Sequence, residues 1–163
     1  DKLKNHELIY LTRSEYNKAQ EHLNNNCESF IHDVSKEFPN GRYNIKEDKA
    51  SNGLSHICSL AKKEGYKIYL SGQGADEVIS DYGFQGRKIY SHSSFGGLFP
   101  DKLEDIFPWE GFFKGSQVRY LNKEEYVAGS HGIETRYPFL DIKLVQEFLW
   151  LSSESKFKFK IVW

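Results

Sequence analysis

Apolar and polar positions along this chain switch between a two-residue and a helical period, and the switches mark its elements. Leu8 to Leu11 is a short apolar run of strand type. Ser14 then stands where a helix cap is needed, with Glu15 in the first turn. Tyr16, Ala19, Gln20 and Leu23 recur at helical spacing, and Asn24 to Asn26 are expected to stop that helix. Residues 37–49 have no period and carry turn chemistry at Pro39, Asn40 and Gly41, so they read as loop. Leu54, Ile57, Leu60 and Ala61 share one helical face, and Gly65 falls where a helix C-terminus favours glycine. An apolar strand, Lys67 to Leu70, follows at once. Helix, glycine, short strand and glycine loop in that order is the rhythm of a parallel α/β sheet.

The remainder has a different texture. Phe84 to Ser116 is rich in glycine and aromatic rings without a period, and reads as irregular chain packed by large side chains. Residues 122–131 predict a short helix, followed by a loop closed by Pro138. Asp141 is placed to cap a last helix that turns Leu144, Val145, Phe148 and Leu149 inward. The expected fold class is therefore α/β: a partial parallel sheet with flanking helices, then a mainly helical and irregular C-terminal region.

Composition narrows the function classes. With 22 basic against 23 acidic side chains, the net charge of −1 offers no bulk attraction to nucleic acid or an anionic membrane. No apolar run approaches the roughly 20 residues that span a bilayer, and charge interrupts any signal-peptide core near the N-terminus. Cys27 and Cys58 lack metal-ligand spacing and read as small buried side chains in a reduced, cytoplasmic protein. The six histidines show no metal or catalytic spacing, and His131 reads as a satisfied polar residue. The chain contains no methionine and begins with Asp1, which is compatible with a piece of a longer polypeptide.

Candidate chemistry sits at the end of the predicted strand, in SGQGADE, residues 71–77. In open α/β sheets ligands bind beyond the carboxyl ends of the strands. Gly72 and Gly74 let backbone N–H groups approach a phosphate. An adjacent carboxylate, Asp76, can hold Mg²⁺ bridging phosphates. A tight turn, with Asp76 and Glu77 capping a following helix, is the alternative use of the same residues. A second cluster, GIETRYPFLD at 132–141, sets Glu134 and Arg136 around a threonine ahead of a Pro-Phe-Leu-Asp turn. By itself it is as well explained by a structural ion pair and a helix cap.

Together, and in this order, the two motifs resemble the synthetase domain of asparagine synthetases, in the ATP-pyrophosphatase group. The resemblance extends over nearly the whole chain, because residues 6–23 and 50–70 are similar to the segments that lead into the first motif. It implies ATP-dependent synthesis of asparagine from aspartate through a β-aspartyl-AMP intermediate, with ammonia derived from glutamine. It further implies ATP and Mg²⁺ as cofactors, Ser71, Gly72 and Gly74 at the nucleotide, and Asp76 at the metal. Gln73, Glu134 and Arg136 fall at positions tied to catalysis or to bracing the site.

Three features depart from the family pattern. Gln73 stands where the family often has glutamate, and an amide cannot act as a base near neutral pH. The upstream S-G-G-x-D-S signature is absent, and so are the nucleophilic cysteine and the glutaminase domain. Residues 1–163 are thus expected to be a partial synthetase domain, needing a glutaminase and a pyrophosphate-loop segment in cis or in trans. Lys156, Lys158 and Lys160 lie near the place of a family lysine without completing its pattern, and read as a solvated basic end. Two alternatives stay open: a related amide- or ring-forming ligase on the same scaffold, and an inactive truncated domain.

Overall fold

The computed structural model describes residues 7–29, 31–33, 42–90, 93–112 and 115–161. The first helix, α1 (Arg13–Asn26), starts at Thr12 rather than Ser14. Thr12 and Glu15 form a capping box: the Thr12 hydroxyl accepts from the Glu15 N–H at 3.3 Å, and the Glu15 carboxylate accepts from the Thr12 N–H at 2.8 Å. Asn24 to Asn26 continue the helix, which ends at Cys27. Leu23 is its buried anchor, a side chain whose burial stabilises by about 1.5–3 kcal/mol. The expected strand over Leu8 to Leu11 does not form. Those residues run without a ladder partner among the described residues, and Leu8 and Tyr10 stand in water.

Part of the expected loop 37–49 is ordered. Strand β1 (Ile31–Asp33) pairs antiparallel with β2 (Arg42–Asn44), and Asp48 caps α2 (Lys49–Lys63) through the Ala50 N–H at 2.9 Å. The turn at Pro39, Asn40 and Gly41 lies outside the described residues. Helix α2 ends as expected, with Gly65 at φ +85° and N–H groups of Gly65 and Tyr66 closing on Lys62 and Ala61 carbonyls.

The buried stripe of α2 is not the apolar one. Ser51, Asn52, Ser55 and Cys58 are buried, whereas Ile57 is exposed and Leu54, Leu60 and Ala61 are half-buried. Helix α2 lies against both α1 and α3 (Gln117–Ser130), and small or amide side chains satisfy these close contacts. Asn52 donates to Gln20 at 3.1 Å, and Ser55 is bonded to His131 Nε2 at 2.9 Å.

The parallel sheet is present but small. β3 (Ile68–Leu70) pairs with β6 (Glu134–Arg136), in the register Ile68–Glu134, Tyr69–Thr135 and Leu70–Arg136. The loop expected before Pro138 is therefore a strand, a reading hidden by its charged ends. One face, with Tyr69 and Thr135, packs toward α2 and α3 over Cys58, Ala128 and Ile133. The opposite face leaves Ile68 54 % and Leu70 67 % exposed, beside Glu134 and Arg136.

A second core lies under the aromatic segment. Val78, Ile79, Phe99, Trp109, Phe112 and Phe148 are buried together, with Phe95, Phe139 and Leu140 against them. This bears out the reading of the belt as packed rings. A short hairpin, β4 (Gly83–Phe84) with β5 (Arg87–Lys88), precedes it. Asp81, fully buried, organises the next loop: its carboxylate accepts from Ser93 Oγ and from the N–H groups of Ser94, Phe95 and Gly97 at 2.9–3.4 Å.

Helix α4 (Ile142–Trp150) is capped by Asp141 and buries Phe148, with Val145 and Leu149 against the cluster, but Leu144 is 42 % exposed rather than turned fully inward. On α5 (Ser153–Ile161) the solvated reading holds for Lys158, which pairs with Glu154 at 2.6 Å. It fails for Lys156, which is 1 % exposed, donates to the Leu149 and Leu151 carbonyls and lies 5.5 Å from the Phe148 ring centroid. The side chain of Lys160 lies outside the described residues. Among those residues, no helix is long and apolar enough to cross a membrane.

Candidate functional site

The loop after β3 is built at the carboxyl end of a parallel strand. The Ser71 N–H continues the ladder by donating to the Arg136 carbonyl at 2.9 Å, so the two sequence motifs are joined through their backbones. The buried Ser71 hydroxyl accepts from the Gln73 N–H at 3.1 Å, which turns the chain. The loop runs into a single π-helical turn, Ala75–Ser80.

The two glycines have different reasons to be there. Gly74 is at φ +97°, and a Cβ on it would lie 2.3 Å from Leu140 Cδ2, so the fold itself demands glycine. Gly72 has no such constraint: a Cβ there would meet nothing within 4 Å, and the residue is exposed. Open space beside a backbone N–H at a strand end is what an incoming phosphate requires.

The acid pair divides its labour. Glu77 is buried and structural; it accepts from the Gly74 N–H at 2.8 Å and from the Tyr82 hydroxyl. Burial and then this bond to Glu77 hold the Tyr82 hydroxyl far above the ordinary phenol range. Asp76 is exposed and free to meet a ligand. Among the described residues no group of three or more His, Cys, Asp or Glu is placed to hold a metal. A single carboxylate such as Asp76 fits a Mg²⁺ that takes its other ligands from water and phosphate.

Gln73 is half-buried and its Nε2 donates to Glu124 Oε1 of α3 at 3.2 Å. Glu124 is 7 % exposed, and its Oε2 has no partner among the described residues. Gln117, one turn pair earlier on α3, likewise leaves a buried Nε2 unpaired, 3.2 Å from the place a Gly74 Cβ would take. The thiol of Cys58 is pushed up to about 11, by burial first and the Glu124 carboxylate second. Tyr69 and Tyr137 are raised as well, mainly by burial.

Glu134 and Arg136 are not brought to Gln73. They form an ion pair at 2.6 Å on the solvent face of β6, each 59 % exposed, while Gln73 turns toward α3 behind the other face. An exposed pair of this kind contributes only about 0–1 kcal/mol. Sequence reasoning missed Glu124, because Lys123-Glu124-Glu125 has the look of a solvated run. The signal was helical phase: Glu124 shares a face with buried Val127, Ala128 and His131.

The asparagine synthase family model matches residues 45–126, about half of the chain, including the glycine loop and Glu124. The chain is 31 % identical over 97 residues, 60 % of its length, to a Methanocaldococcus jannaschii protein whose name is that of a glutamine-hydrolyzing asparagine synthetase. It is 29 % identical over 119 residues, 70 % of its length, to asparagine synthetase (glutamine-hydrolyzing) 1 of Arabidopsis thaliana. Identity is also 29 % over 100 residues, 59 % of the chain, with the human asparagine synthetase domain-containing protein 1. The chain spans only 16 %, 18 % and 14 % of these three proteins. No solved structure matches it. A glycine loop at the end of a parallel strand, tied to a second motif by its backbone, thus coincides with the matched segment, and the chain belongs to the asparagine synthase family.

Proposed function

We propose that the loop 71–76 is one wall of a nucleotide site in a cytoplasmic, glutamine-dependent asparagine synthetase. A side-chain carboxylate oxygen of aspartate would attack the α-phosphorus of ATP. The bond to pyrophosphate breaks, and β-aspartyl-AMP forms. Ammonia from glutamine then attacks the acyl carbon, the C–O bond to AMP breaks, and the nitrogen loses a proton to water. Activation is needed because a carboxylate oxygen is a poor leaving group and AMP a good one. Ser71, Gly72 and Gly74 would line the phosphates, and Asp76 would hold Mg²⁺ against them, lowering the charge on the departing pyrophosphate.

The observation that carries this reading is the contrast between the glycines at this strand end: Gly74 is fixed by packing, whereas Gly72 is exposed with open space where a Cβ would stand, which leaves room for a phosphate against the backbone. The relatives are about four times as long as this chain, and the β3–β6 sheet exposes Ile68 and Leu70. Both facts support a further segment, in cis or in trans, that supplies the pyrophosphate loop and the glutaminase. Glu134 and Arg136, on that exposed face, would brace this segment or the substrate it brings.

A second reading, a ligase that joins another acid to another amine, is favoured by one observation. Position 73 carries an amide in place of a carboxylate, backed by a buried glutamate. The polypeptide containing this chain, assayed for pyrophosphate release from Mg·ATP, separates the two. Release driven by aspartate with an ammonia source supports the first; inert aspartate beside another active carboxylic acid supports the second.

A further inference from the structure

The Gln73–Glu124 pair fixes the direction in which an amide faces. A carboxylate only accepts hydrogen bonds, whereas an amide has a donor end and an acceptor end. Nε2 of Gln73 is turned to Glu124 Oε1 at 3.2 Å. Flipping the amide would exchange a charge-assisted hydrogen bond for oxygen facing oxygen, at a cost made large by a buried carboxylate that has this one donor among the described residues. Gln73 Oε1 is therefore held away from Glu124, and it has no partner among the described residues. Gln73 is half-buried and directly follows Gly72, whose Cα faces open space.

We propose that Glu124 is a positioning residue that, acting through Gln73, makes position 73 a hydrogen-bond acceptor for the nitrogen nucleophile: ammonia or a primary amine. This rests on the reading of the loop as an acyl-activating site and adds to it how the second substrate is received. The carbonyl oxygen of Gln73 accepts an N–H and aims the nitrogen lone pair at the acyl carbon. It takes up no proton, so the proton released when the C–N bond forms and the C–O bond to AMP breaks goes to water. The arrangement keeps an acceptor beside the phosphate loop where the family often has glutamate, with the negative charge moved behind it onto Glu124 of α3.

The test uses the full polypeptide and two assays. Aspartate-dependent ATP–pyrophosphate exchange reads activation, and amide formation with titrated ammonium reads the nucleophile step. In Glu124→Gln the amide can flip freely. The expected result is a KM for ammonium raised at least about tenfold more than any change in exchange rate, the size set by one charge-assisted hydrogen bond. The exchanged pair Gln73→Glu/Glu124→Gln restores one donor facing one acceptor and should recover the ammonium KM.

An unchanged ammonium KM in Glu124→Gln overturns the inference. So does a loss shared equally by exchange, amide formation and melting temperature, which would mark Glu124 as structural. Absence of exchange in the unaltered polypeptide removes the underlying reading of the loop, a distinct failure that takes the inference with it.

Discussion

The imidazoles of His22 and His131 stack face to face, with centroids 3.8 Å apart and planes 14° from parallel, at the junction of α1, α2 and the end of α3. Ser130 Oγ spends its proton on the Val127 carbonyl at 2.7 Å, so His22 Nε2 must be the donor in its 3.1 Å bond to Ser130. His131 is bonded to Ser55, and its pKa is pushed down to about 4, by burial first, then by His22 and Lys62. A histidine held neutral in the fold binds fewer protons than the unfolded chain between pH 6.5 and 4. Stability from this site is complete above about pH 6.5, falls as pH drops through that window by up to about 3 kcal/mol, and levels off below it. Urea unfolding at pH 7 and pH 5 checks this. In His131→Gln the difference between the two should shrink, and an undiminished difference would assign the pH effect elsewhere.

Asp81 supports four donors with one side chain. Asp81→Ala leaves Ser93 Oγ and three backbone N–H groups without their acceptor, those of Ser93 and Gly97 in buried positions. At about 1–3 kcal/mol for each unsatisfied group, a loss of at least about 3 kcal/mol is expected. Asp81→Asn, which keeps an acceptor oxygen, should lose less. Chemical denaturation ranks the two variants, and near-ultraviolet circular dichroism follows the packing of Phe95 and Phe99, which the loop carries.

The two glycines of the loop should respond oppositely to the same substitution. Gly74→Ala meets Leu140 and a positive φ, and is expected to lower stability by about 2 kcal/mol or more. Gly72→Ala enters open space, so its stability should stay within about 0.5 kcal/mol of the unaltered protein. Its stabilisation by Mg·ATP in thermal melts should nevertheless diminish. Equal Mg·ATP stabilisation in Gly72→Ala would remove the ligand-space argument for that residue.

Trp109 is where the aromatic core and the site share an atom. Its ring packs at 4.7–5.7 Å on Phe95, Phe99 and Phe112, and its Nε1 donates to the Glu77 carbonyl at 2.7 Å. Trp109→Phe keeps most of the ring packing and strands that carbonyl, for an expected cost of about 1–3 kcal/mol. Loss of the π-helical turn's support should also weaken Mg·ATP stabilisation, and differential scanning calorimetry with and without nucleotide measures both.

The periodic and punctuated parts of this molecule were legible in sequence. Gly65 ended α2 as its position implied, Asp141 capped α4, and the strand before Ser71 was found to within one residue. Short local signals failed where tertiary contacts decide. Leu8 to Leu11 has the composition of a strand but no strand beside it among the described residues, and Glu134 to Arg136 lacks that composition yet pairs with β3. In α2 the apolar positions lost the interior to serine and asparagine because their hydrogen-bond partners, Gln20 and His131, come from distant sequence. Of the candidate site, the loop itself was readable. Glu124, 51 residues on, was not, since only folding reveals that its carboxylate meets Gln73.

Nature has placed different optical and chemical reporters in the two cores. Cys27 and Cys58 are free thiols buried in the helical layer, while the aromatic core holds Trp109. Trp150 is 72 % exposed and senses solvent in either state. A thiol reagent at neutral pH reaches Cys58 only when the helices part, because its thiolate is scarce and its sulfur enclosed. Timed thiol labelling and indole emission therefore clock the opening of separate halves, with no residue substituted, and the gap between the two clocks is a direct measure of how strongly the loop-bearing half is coupled to its helical support.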